Sequence, residues 1–283
     1  MEIKSKVKVC GGELIRFTHQ SNETKTPMTC AVFIPNTASS TPTPYLLYLS
    51  GLTCTDENVC QKSGVFQALA KHQIAFVAPD TSPRGAGIEG EDDGWDFGTG
   101  AGFYLDATSP KWADNYRMYS YVTKELPSIL TTHFPQLDQT RVSITGHSMG
   151  GHGALTIALK NPTKYRSVSA FSPICNPSNC PWGHKAFGGY LISREEWSEY
   201  DATELMASRT DANKAYDDIL IDVGTADSFL TGGQLLPEAF KAAADKVGQK
   251  VSLRLQEGYD HSYFFISSFI TDHVEHHAQR LKA

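Results

Sequence analysis

Residues 141–155 read RVSITGHSMGGHGAL, and the way this stretch is read decides the fold. A short apolar run, VSIT, passes straight into Gly146, and a helical pattern opens just after Gly150 and Gly151. Between them, Gly146-His147-Ser148-Met149-Gly150 fits G-x-S-x-G. With 23 glycines in 283 residues, chance alone produces such a match in about one chain in ten, so the context must decide. A strand, a sharp turn and a helix in succession are what present a serine as a nucleophile. Glycine at both flanks lets a neighbouring strand and helix pack against a serine held at strained backbone angles. The helix start then points free N–H groups and its positive dipole end at the reacting oxygen. The alternative is a glycine-rich bend with an idle serine, and the two differ in whether partners for Ser148 exist.

A serine hydroxyl is a weak nucleophile and needs a base and an orienting acid. ILIDVGTADSFL (219–230) ends a buried strand in a turn that presents Asp227. VSLRLQEGYDHSYFF (251–265) ends the next strand in a turn that presents His261 just before a helix. Serine, acid, histidine is the chain order such a sheet requires. Asp222 is the rival acid, but it lies inside the strand run, and Asp260, beside His261, points elsewhere. His147 and His152 flank the serine too closely to lie in line with its hydroxyl, and are expected to line the site or pack. His273, His276 and His277 sit at helical spacing and read as a solvated helix face rather than a metal site. His19, His72, His133 and His184 have no catalytic context. Acyl transfer also needs two donors for the developing oxyanion. One is the N–H of Met149, after the nucleophile. The other is expected from Leu52, where YLLYLSGLTCTDEN (45–58) leaves a buried strand at Gly51.

Further apolar runs recur at 29–35, 45–50, 74–80, 142–145, 168–171, 219–224 and 251–255. Several are apolar on both faces, as buried parallel strands should be. Helical patterns fall between them at 64–72, 116–134, 151–162 and 235–248, with a last one from about 262. The alternation predicts an α/β fold: a mostly parallel sheet with helices on both faces, in one domain over 1–283. TASSTPTP (37–44) reads as a turn, while the glycine- and acid-rich stretch 82–103 is long enough to cover a site. Hydrophobic residues make up 40% of the chain and charged residues 20%, enough to fill a sizeable core. A net charge of −6 and the lack of Lys/Arg runs argue against nucleic acid or an acidic membrane as partner. The start lacks the apolar run of a signal peptide, and no stretch approaches the ~20 apolar residues of a membrane helix. Six cysteines without a CxxC pair read as separate reduced thiols of a cytoplasmic protein, with no zinc site.

Taken together, LSGLTCTDEN, DTSPRG, DDGWDFGTGAGFYLDAT, GHSMGGHGAL, FSPICNPSNCPWG and the pair GTAD and GYDHSYFFI resemble the S-formylglutathione hydrolase (esterase D) family. The resemblance runs from about residue 10 to the end and implies the α/β-hydrolase fold. It implies a cytoplasmic, homodimeric serine thioesterase that converts S-formylglutathione to glutathione and formate in formaldehyde detoxification. It also implies activity on small esters, with no metal or organic cofactor. The family's triad falls on Ser148, Asp227 and His261, and its oxyanion donors on Leu52 and Met149. By the same resemblance Cys54 lies near the active site and Trp182 walls the pocket, with Trp95 a further pocket residue. Two other readings share the scaffold: a general carboxylesterase or acyltransferase, and a binding protein that has kept only the shape.

Overall fold

The computed structural model describes residues 1–36, 41–209 and 215–282, so the first four residues of the expected 37–44 turn lie outside the described residues. The runs at 45–50, 74–80, 219–224 and 251–255 form strands β4 (Thr43–Leu49), β5 (Ala75–Pro79), β8 (Ile219–Gly224) and β9 (Val251–Gln256). β3 (Pro27–Ile34), β6 (Leu137–Gly146) and β7 (Ser169–Phe171) account for the others. An N-terminal hairpin, β1 (Glu2–Val9) and β2 (Gly12–Gln20), completes the set. The sequence reading missed it because β1 alternates lysine with apolar residues and is exposed along its length. Its turn is set locally: Cys10 and Gly11 both adopt positive φ, the geometry of a two-residue hairpin loop.

Six strands run in the order β1-β2-β3-β5-β4-β6 and three in the order β7-β8-β9. Parallel bridges Ile144–Val168 and His147–Phe171 join the two groups at β6 and β7. The pairs β1–β2, β2–β3 and β3–β5 are antiparallel, and all the other pairs are parallel. β4 is buried at every position, which requires cover on both faces. Alternate residues sort accordingly, since side chains switch faces at each step. Leu46 and Tyr48 join Phe66, Phe76, Phe265 and Ile270 in one apolar layer, while Tyr45, Leu47 and Leu49 join Val142, Leu155 and Ile157 in the other. The helices Val65–His72, Met149–Lys160, Pro237–Lys246 and Tyr263–Leu281 fall where the periodicity places them. The run expected over 116–134 is helical from 118 to 133 and contains a π-helical segment, Tyr121–Glu125.

The last helix corrects one expectation. His273, His276 and His277 are buried, not solvated. His277 bridges Ser167 and Ser169 at 2.8 Å each, and His273 joins Ser169 at 2.8 Å to Asp222 at 3.1 Å. Asp222 also accepts from Arg254 at 2.6 Å and is held at a pKa of about 2; burial raises it, but Arg254 and His273 together pull it down further. Around this anion the hydrogens have one consistent order. Neutral His273 donates from Nε2 to Asp222 and accepts from Ser169 at Nδ1, and His277 donates to Ser169 and accepts from Ser167.

Burial keeps these imidazoles uncharged, with His276 pushed down to about 4; His152, buried behind the nucleophile turn, is pushed to the same value. An unfolded histidine takes a proton below about pH 6.5. Between roughly 4 and 6.5 the unfolded chain therefore binds more protons than the fold, and stability must fall as pH drops through that window. The urea midpoint is expected to be lower at pH 5 than at pH 7.5. A midpoint that held or rose on acidification would contradict this account of the buried histidines.

Candidate active site

β6 ends at Gly146, and the chain reverses into the helix Met149–Lys160 through Ser148, whose backbone sits at φ 57 and ψ −118. That conformation is unfavourable for a side-chain-bearing residue and survives only where the surroundings impose it. Here they do. A Cβ on Gly146 would stand 2.2 Å from the Gly150 carbonyl oxygen, and one on Gly150 only 2.0 Å from that of Leu49. The Ser148 N–H donates to the Phe171 carbonyl at 2.9 Å, tying the turn to β7.

β8 ends at Gly224, where a Cβ would collide with the Tyr259 carbonyl at 2.1 Å. This close approach brings the turn after β8 against the turn after β9, and Ala226 N–H bonds Tyr259 O at 2.9 Å. The two turns present Asp227 and His261 to each other. Asp227 is fully buried and caps the one-turn helix Ser228–Thr231, accepting the Phe229 N–H at Oδ1, 2.8 Å away. Its Oδ2 lies 2.6 Å from His261 Nδ1. Burial pushes the Asp227 pKa up, but the His261 contact and the Phe229 N–H outweigh it, leaving the carboxyl below its ordinary value. An ionised Asp227 can only accept, so the His261 proton sits on Nδ1 and the Nε2 lone pair is left free.

His261 and Ser148 line one cavity of about 200 Å3 with Leu52, Cys54, Trp95 and Trp182. The expected site residues therefore converge. Gly51 packs the loop after β4 onto Ser148, a Cβ there being 3.1 Å from Ser148 Cβ. Among the described residues neither the Leu52 nor the Met149 N–H has a hydrogen-bond partner, so both remain available to an oxyanion.

His147 lines the same cavity with its ring 4.5 Å from that of His261. Burial, then the neighbouring His261, holds it well below the ordinary histidine value, so it stays neutral. His152 instead packs and bonds Phe103 O at 2.9 Å. Trp182 is buried between two rings: Trp95 meets it edge-on at 5.8 Å, and Phe229 packs on it at 4.6 Å. Phe229 also meets His261 edge-on at 4.7 Å, a role the sequence reading missed. Its only signal was its place two residues after Asp227. Trp95 rides on the 82–103 loop, which is pinned to the helix Pro181–Tyr190 where Phe97 stacks on Tyr190 and Asp96 pairs with Lys185. Burial raises the Cys54 thiol above its ordinary value, against smaller opposing pulls from the Tyr263 hydroxyl and Lys62. The thiol is thus protonated at neutral pH.

Asp222, the rival acid, is committed to Arg254 and His273, and Asp260 is turned to Ser262. Among the described residues no helix is long and apolar enough to cross a membrane.

Residues 21–276 match a family model described as putative esterase. The S-formylglutathione hydrolase of Rattus norvegicus is 56% identical over 286 residues, covering the whole of both chains. That of Arabidopsis thaliana is 55% identical over 269 residues, 94% of this chain and 93% of its own. A solved S-formylglutathione hydrolase from Agrobacterium tumefaciens matches with a TM-score of 0.94 at 46% identity, over 99% of this chain and all of that one. With the strand order and nucleophile turn already described, these matches show that the chain belongs to the esterase family, in its S-formylglutathione hydrolase branch, and is a serine hydrolase.

Proposed function

We propose that this chain hydrolyses the thioester of S-formylglutathione to glutathione and formate, using Ser148, His261 and Asp227, with short esters as side substrates. The observation that carries the reading is the 2.6 Å contact between His261 Nδ1 and buried Asp227, in the cavity wall beside the strained Ser148. His261 Nε2 takes the Ser148 proton as Oγ attacks the formyl carbon, and the oxyanion is held by the Leu52 and Met149 N–H groups. The C–S bond breaks, the imidazolium returns its proton to sulfur, and glutathione leaves. Water then attacks the formyl ester with His261 again as base, releasing formate and restoring Ser148. Kinship to the branch also supports a homodimer in the cytoplasm. The deciding experiment compares kcat/KM for S-formylglutathione with that for p-nitrophenyl acetate. A ratio below one would favour a general esterase.

The aromatic wall sets an acyl-length limit that can be measured. Trp182 is packed between Trp95 and Phe229 and cannot swing aside without displacing them. A misfit methylene in such a pocket costs ~1–3 kcal/mol. Across esters of one alcohol, kcat/KM is expected to be highest for formyl or acetyl and to fall steeply by butyryl. Trp182→Ala should flatten the decline by opening space. It should also slow the small esters, because Phe229 loses its support and Phe229 packs on His261. A wild-type optimum at six carbons or more would sink the formyl-thioester reading. An unchanged ladder in the variant would remove Trp182 from the wall.

A further inference from the structure

Glutathione carries two carboxylates and one ammonium, so its thioester reaches this chain as an anion. The chain itself has a net charge of −6, and its site is flanked by the acid-rich 82–103 loop. Binding such a substrate calls for a cation that the protein has not already neutralised. Two cations near the cleft fail that test: Lys185 is paired with Asp96, and Arg84 is bound to both Asp80 oxygens.

Lys62 passes it. It is the last residue of the helix Asp56–Lys62, and among the described residues it has no carboxylate partner. Its Nζ lies 5.9 Å from the centre of the Tyr263 ring. Tyr263 in turn is two residues past His261, its ring 6.2 Å from that of His147. Lys62, Ser262, Tyr263, Phe264 and Ser267 line an open hollow of about 590 Å3. His147 lines the catalytic cavity and Tyr263 this hollow, and with their rings 6.2 Å apart the two adjoin. The thiol of glutathione sits on its middle residue, so either terminal carboxylate can reach about two residue lengths, roughly 7 Å, along the chain. Phe264, 83% exposed, offers an apolar surface for the stem between sulfur and carboxylate.

We propose that Lys62, with the hollow along Tyr263 and Phe264, is the subsite that takes a carboxylate of the glutathione half of the substrate. This rests on the S-formylglutathione reading, and the test separates the two. The probe is S-methylglutathione, a thioether that cannot be hydrolysed, used as a competitive inhibitor of p-nitrophenyl acetate turnover. Lys62→Ala should raise its inhibition constant about two- to fivefold, the worth of one exposed ion pair, and Lys62→Glu about tenfold or more as attraction becomes repulsion. Lys62→Arg should stay close to wild type. Added salt should weaken the probe's binding in the wild type and have little effect in Lys62→Ala. With S-formylglutathione as substrate, the loss in Lys62→Glu should appear in KM rather than kcat. An inhibition constant equal in wild type and Lys62→Glu overturns the subsite whatever the enzyme hydrolyses. A wild type that binds the probe through Lys62 yet leaves S-formylglutathione intact would support the subsite and defeat the substrate reading.

Discussion

Ser148→Ala is expected to lose on the order of 10⁴–10⁶ in kcat, the usual consequence of removing a triad member, while folding as the wild type does. The separation follows from how the turn is held. Its strained φ of 57 is imposed by the Gly146 and Gly150 contacts and by the Ser148 N–H bond to Phe171, none of which involves the hydroxyl. Among the described residues Oγ bonds no other part of the fold, so losing it leaves no buried group unpaired. Alanine has a Cβ like that of serine and bears the same backbone strain. Activity should vanish while the melting temperature stays within a few degrees. A variant within tenfold of wild-type kcat would refute the assignment of the nucleophile.

The nucleophile turn was legible in the sequence because its physics is local. Only glycine fits where a Cβ would lie 2.0–2.2 Å from a carbonyl oxygen, and glycines stand at those positions. That Asp227 and not Asp222 meets His261 was legible for a related reason: a residue within a buried strand cannot also present its side chain on the loop beyond. The last helix was not legible. Whether a histidine is solvated or buried depends on whether the tertiary fold supplies partners, and those of His273 and His277 come from Ser167, Ser169 and Asp222, 51 to 110 residues away. The packing of Phe229 on His261 escaped notice likewise, since the ring is brought to it only by the approach of separate elements. The β1–β2 hairpin was missed because burial is what makes strand patterns visible, and β1 is hardly buried at all.

Asp227→Asn and Asp222→Asn should fail in opposite ways, which makes the pair a sharp test of the acid. In Asp227→Asn one amide atom must still meet the Phe229 N–H, and only the oxygen can accept it. The amide nitrogen then faces His261 Nδ1 and donates to it, which forces the imidazole proton onto Nε2. The nitrogen that should take the Ser148 proton is already protonated, and the rate is expected to fall about 10⁴-fold with little loss of stability. Asp222→Asn leaves that geometry untouched. It removes instead the negative charge that Arg254 and His273 share, at 2.6 Å and 3.1 Å. Hydrogen bonds to a charged group are worth about 1.5–3 kcal/mol each, and Arg254, a third exposed, keeps Asp272, so the urea midpoint should drop while kcat per folded site stays near wild type. The two measurements are the turnover per folded molecule and the denaturation midpoint, taken on both variants. If Asp222→Asn abolished turnover and Asp227→Asn merely loosened the fold, the acid would be Asp222, and the His261 tautomer argument would fall with it.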